Sequence, residues 1–241
     1  MAEHFRPSDY QYAHRGLWSP SGPPENSLPA FLAASSRGLG VELDVRPSSD
    51  GVPVVFHDPF LDRLTDASGP VCFKTAAELS RLTLSGQSDA HLPTLTDVLA
   101  VWPKALPLLI EMKIDGMTQS TEFTNTVASI LNAWDGKAAL MSFNDIAVAS
   151  IPDTLTRGLL IAPSGLIGER RRDAAFARAV ALGVDYIGSH VSDCETAASF
   201  ARASCLDIAI WTVDDAQSLS RTKPLNCGLI FEALDPALVA A

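Results

Sequence analysis

A TIM-type (β/α)8 barrel, with a short insertion after its second strand, is the fold class this sequence predicts. Three observations point to it. The 241 residues come close to the roughly 250 of such barrels. Short apolar runs alternate with stretches of helical spacing, as expected for a parallel sheet covered by helices. Eight such runs occur. A doubly wound open sheet shows much the same alternation, so strand number favours closure without demanding it.

The candidate strands lie at residues 11–14, 41–45, 108–112, 139–142, 158–161, 185–188, 208–212 and 228–231. Between the first two, Asn26 can cap a helix, Pro29 fits its first turn where a missing N–H costs little, and Gly38 can end it. Further helices are expected at 94–101, 121–134, 144–150, 171–182, 195–203 and 215–221. The one long irregular connection, about 58–93, carries a short helix at 75–82 and reads as a flap over the barrel mouth within a single domain of residues 1–241.

Composition narrows the function. Hydrophobic residues make up 47% and charged residues 19%, which suits a globular protein. No run of about eighteen apolar residues marks a transmembrane helix. The net charge of -10 repels nucleic acid, and the one cationic run, Arg170 to Arg172, reads as the solvated start of a helix. Cys72, Cys194, Cys205 and Cys227 form no C-x-x-C pair. The polar start, Met1 to Tyr12, lacks the apolar core of a secretory signal, so a cytoplasmic location is expected.

Candidate chemistry sits at strand ends. In Val41-Glu42-Leu43-Asp44-Val45 the two acids share one strand face. Turned into a barrel they would repel unless a cation compensated them; on a solvated edge strand they would need nothing. Glu111 and Lys113 also share one face, as an ion pair or as part of a site. Glu111 joined to Glu42 and Asp44 forms an all-oxygen set suited to Mg²⁺ or Ca²⁺ and poorly suited to zinc. His14 and His57 both follow apolar runs and would reach one rim, where two imidazoles can serve as general base and general acid. Arg15 offers a fork of donors for phosphate oxygens.

The ordered set His14-Arg15-Gly16, Pro24-Glu25-Asn26-Ser27, Glu42-Leu43-Asp44-Val45, Asp50-Gly51, Val54-Val55-Phe56-His57-Asp58 and Leu61-Asp62-Arg63-Leu64-Thr65 through Gly69 resembles the glycerophosphodiester phosphodiesterase signature. Leu92-Pro93-Thr94-Leu95, Glu111-Met112-Lys113, Ser142-Phe143 and Trp211-Thr212-Val213 extend the resemblance over most of the chain. It implies a divalent metal, Mg²⁺ or Ca²⁺, on Glu42, Asp44 and Glu111, with His14 and His57 as the acid–base pair. It also implies phosphate binding by Arg15 and Lys113, a pocket wall at Trp211, and a small glycerophosphodiester split into sn-glycerol 3-phosphate and an alcohol.

Departures from that family pattern are Ser27 for Thr, Asp214 for Asn, and a last strand, Leu229-Ile230-Phe231-Glu232-Ala233, in place of one ending in Thr-Asp. The last leaves Glu232 at the mouth and bears on substrate preference. His190 falls on the same rim, whereas His4 and His91 fall in tail and loop, and Trp18, Trp102 and Trp134 are expected to pack. A lysophospholipase D or sphingomyelinase-D-like enzyme on the same barrel would call for an apolar rim, to which Phe73 and Leu84 could contribute. A silent phosphate-ester-binding barrel would have lost catalytic positions that here are all occupied by ionisable residues.

Overall fold

The computed structural model describes residues 4–84, 90–116 and 118–240. Its strands are β1 (Gln11–His14), β2 (Gly40–Pro47), β3 (Pro53–Val55), β4 (Leu108–Met112), β5 (Ala138–Ser142), β6 (Thr156–Ile161), β7 (Tyr186–His190), β8 (Asp207–Val213) and β9 (Gly228–Phe231). All but β3 pair in parallel, and β1 is hydrogen-bonded to both β2 and β9. With β1 paired on both edges, the eight parallel strands close into a barrel, with β3 added outside that ring, and the open-sheet alternative falls. Because the strands are parallel, their C-terminal ends share one rim.

Two apolar layers explain why the strand sequences are apolar on both faces. Tyr12, Leu109, Ala139, Met141, Leu160, Tyr186, Ala209 and Ile230 pack as the inner cluster. Val41, Leu43, Val45, Leu108 and Ile110 belong to the larger cluster under the helices. Register then settles where the acids point. Glu42 lies opposite Leu109, and Asp44 opposite Glu111, so all three share the inward parity of Leu109.

Helix α1 (Leu28–Ser35) is capped by Ser27, whose Oγ accepts the Ala30 N–H, and not by Asn26. Asn26 stands one residue earlier at φ 53 with its side chain turned toward Asp44. The other helices are α2 (Ala76–Leu79), α3 (Leu95–Val101), α4 (Ser120–Asn132), α5 (Asp145–Ala149), α6 (Ser164–Ile167), α7 (Glu169–Leu182), α8 (Cys194–Ala203), α9 (Ala216–Thr222) and α10 (Pro236–Ala240). Thr94, Asn144 and Asp215 act as caps where helices were expected to begin. The expected solvated run at Arg170 to Arg172 is only partly so: Arg172 is buried, with its guanidinium on Asp173 and Asp193.

The insertion holds structure that alternation did not reveal. β2 runs past its pairing with β1, which ends at His14 and Glu42, and the freed edge at Val45–Pro47 accepts β3 in antiparallel register. Val54, Phe56, Leu61, Val71, Leu79, Leu84 and Leu92 form a separate small core. Residues 85–89 of the expected flap lie outside the described residues.

The turn after β1 has a strict requirement at Gly16. Its φ is +88, and an added Cβ would stand 2.8 Å from the Ala30 Cβ and 2.9 Å from the Ala30 carbonyl carbon. Backbone strain and the clash with a buried helix act together in Gly16→Ala, which is expected to lose about 2–4 kcal/mol in denaturant unfolding. An unchanged unfolding midpoint would show that the turn has another conformation.

Candidate active site

β2 and β4 carry the acidic centre. One carboxylate oxygen from each of Glu42, Asp44 and Glu111 lies within 4.8 Å of the others, and all three side chains are buried. Lys113 Nζ bridges two of them, 3.0 Å from Asp44 Oδ1 and 2.8 Å from Glu111 Oε1. Arg15 Nε lies 3.4 Å from Asp44 Oδ2, and Asn26 Nδ2 donates to the same oxygen at 2.8 Å. Burial alone would raise the Asp44 carboxyl, but Lys113 and Arg15 outweigh it and hold the group far below its usual range. Glu42 behaves oppositely: burial, then repulsion by Asp44 and Glu111, pushes its carboxyl well above the ordinary value despite Lys113 and Arg15. Glu111 is also raised, first by burial.

The centre is therefore short of positive charge. Two cationic side chains do not neutralise three crowded acids, and an all-oxygen set of this kind suits a hard divalent cation. The residues present fit such an ion.

The two histidines approach from opposite sides of β2 in sequence, each with a carboxylate on Nδ1. His14 Nδ1 lies 2.7 Å from Glu232 Oε2, and its Nε2 lies 3.8 Å from Glu42 Oε2. His57 Nδ1 lies 2.7 Å from Asp58 Oδ1. Arg63 grips Asp58 through Nε at 2.6 Å and Nη2 at 2.9 Å, and its hydrogen bonds hold that carboxyl down at about 2. Arg63 also grips Glu25, which in turn accepts from Arg15 Nη1 at 2.8 Å. Arg46 Nε donates to the His57 carbonyl at 2.8 Å, fixing the backbone where β3 leaves the barrel. Burial, with Lys113 and Arg15 adding to it, lowers the His57 imidazole from its ordinary value although Asp44 opposes them.

A cavity of about 240 Å³ joins these groups. His14, Arg15, Glu42, His57, Glu111 and Lys113 line its ionic side; Met141, Phe143, Leu160, Trp211 and Ile230 line its apolar side. Asp44 does not line it but ties Lys113 and Arg15 in place from beneath. Trp211 stands edge-on to Phe143 at 5.6 Å and to His190 at 5.0 Å. His190 is absent from the cavity wall and caps the turn after β7, accepting the Ser192 N–H. Trp102 and Trp134 are buried as expected. Of the two side chains anticipated for an apolar rim, Phe73 is exposed while Leu84 is buried in the small core.

Sequence reading alone did not assign Asn26, Glu25, Arg63, Asp58 or Glu232 to these contacts. Four of them stood inside motif segments, so their presence was visible and their partners were not. Glu232 stood out only as a departure from the family ending.

The model of the glycerophosphoryl diester phosphodiesterase family matches residues 14–232. The chain is 26% identical to a phosphodiesterase of Oleispira antarctica solved in complex with the product sn-glycerol-3-phosphate, over 93% of this chain and 94% of that one, with a TM-score of 0.76. It is 25% identical to the glycerophosphodiester phosphodiesterase of Thermotoga maritima over 95% of each chain, also with a TM-score of 0.76. Glycerophosphodiester phosphodiesterase 1 of Rattus norvegicus is 40% identical over 93 residues, a match that spans 35% of this chain and 28% of that relative. No helix among the described residues is long and apolar enough to cross a membrane.

Proposed function

This chain belongs to the glycerophosphoryl diester phosphodiesterase family, and from that membership we propose that it hydrolyses small glycerophosphodiesters to sn-glycerol 3-phosphate and an alcohol. The observation that carries the reading is the cavity in which Glu42 and Glu111, two members of the buried acidic cluster, meet two carboxylate-paired histidines.

A phosphodiester resists attack because it is an anion with a poor leaving group. Glu42, Asp44 and Glu111 would hold a divalent cation, Mg²⁺ or Ca²⁺, which supplies Lewis-acid charge neutralisation at the phosphoryl oxygens. Arg15 and Lys113, on the ionic wall, bind and orient the phosphate. His14 and His57, each with a carboxylate against Nδ1, exchange protons with the nucleophile and the departing alkoxide. Trp211 and Phe143 form the apolar wall against which the organic part of the substrate lies. We place the enzyme in the cytoplasm, where the free thiols of Cys194, Cys205 and Cys227 stay reduced.

Release of glycerol phosphate from glycerophosphocholine and glycerophosphoethanolamine by chelated protein, with Mg²⁺ or Ca²⁺ restored, tests the reading. Turnover is expected with metal and not without it. The exposed Phe143 beside Trp211 favours a lipid leaving group as the second reading, and preferential turnover of lysophosphatidylcholine would establish it. Affinity without turnover on every diester would leave a binding barrel.

A further inference from the structure

We propose that Glu232 is a positioning residue that holds His14 as the Nδ1–H tautomer, with Nε2 turned toward the acidic centre. This deepens the proposed function and rests on it for its catalytic consequence.

The geometry comes from strand register. Ala13 on β1 lies opposite Phe231 on β9, so the next residues along the parallel pair, His14 and Glu232, come level at the rim. Glu232 donates its N–H to the Val213 carbonyl at 3.2 Å, and Ala233 then turns the chain at φ 55. The side chain is thereby aimed along β1 and reaches His14 Nδ1 at 2.7 Å. A carboxylate has no proton to give, so the nitrogen facing it must be the donor. The hydrogen bond from His14 lowers the Glu232 carboxyl from its ordinary value, consistent with an ionised acceptor. With Nδ1 held on Glu232, the ring turns Nε2 to the cavity side, 3.8 Å from Glu42.

The two histidines differ in how their partners are held. Asp58 shares its charge with Arg63, whereas the one side-chain hydrogen bond to Glu232 among the described residues comes from His14. Glu232 thus accepts its one side-chain hydrogen bond from His14, and its side chain is 28% exposed at the barrel rim.

Kinetics and imidazole nitrogen NMR of Glu232→Ala and Glu232→Gln test this. Glu232→Ala is expected to lower kcat on the order of 10- to 100-fold, the usual cost of losing an orienting partner, with KM unchanged. The loss should be the same for glycerophosphocholine and for glycerophosphoglycerol, whose leaving group is uncharged. Glu232→Gln keeps an acceptor oxygen and should recover most of the rate. In the nitrogen spectrum wild-type His14 should show a protonated Nδ1, Glu232→Ala should shift the proton toward Nε2, and Glu232→Gln should not. A KM increase confined to the choline diester would overturn the proposal by placing Glu232 on the substrate, and so would an unchanged tautomer in Glu232→Ala. If the wild type turned over no diester, the proposed function would fail, while the spectra would still decide the tautomer.

Discussion

His14→Ala and His57→Ala are each expected to reduce kcat about 10²- to 10⁴-fold, the range for loss of a positioned general acid or base. Both rings line the cavity and belong to none of the hydrophobic clusters, so their removal enlarges the cavity and leaves the apolar cores packed. Thermal unfolding should therefore stay close to wild type while turnover collapses. The double variant is expected to be little worse than either single one, because the two groups act on one proton-transfer sequence. Steady-state kinetics beside melting curves checks this, and near-full activity in either single variant would remove the acid–base assignment.

Glu42→Gln is expected to act in opposite directions on metal binding and on stability. Like charges within 4.8 Å repel by about 3–4 kcal/mol per pair at an effective dielectric of about 20, and Lys113 and Arg15 offset only part of this. Without metal, the amide relieves that repulsion while keeping the side-chain shape. The chelated variant should melt higher than chelated wild type, by about 2–4 °C for each kcal/mol relieved. With metal the order reverses. Loss of a ligand oxygen should weaken Mg²⁺ or Ca²⁺ by more than the roughly 10- to 100-fold that an outer partner costs.

The pH dependence has a definite sign. A carboxyl raised in the fold adds no penalty below its unfolded pKa, and the penalty grows as pH rises from there toward the folded value. Chelated wild type should therefore lose stability over that interval relative to Glu42→Gln. Calorimetry across pH, with and without metal, reads both effects. A chelated variant less stable than chelated wild type at every pH would show that the acids do not strain the fold.

Much of the site was legible because strand periodicity is local. Side chains two apart on a strand share a face by backbone geometry alone, so Glu42 with Asp44, and Glu111 with Lys113, could be paired from the chain itself. Which face looked inward could not be read that way, since both faces of a barrel strand are buried. The answer came from β2 and β4 in register, with Glu42 beside the inner-layer Leu109. The three-residue β3 escaped notice because so short a run has no period, and because its place depends on the edge that β2 leaves beyond β1.

By itself the chain order determined the alternation of strands and helices and the residue types at the strand ends, and so which acids and histidines were available to a site. Tertiary structure alone decided that β1 meets β9, that Asn26 turns to Asp44 and leaves the helix cap to Ser27, and that Arg63, through Asp58, and Glu232 brace different histidines. The physical reason is separation along the chain. Local sterics set the direction of each side chain, but partners far apart in sequence are brought together only when every strand of the barrel is hydrogen-bonded in register and the ring is closed.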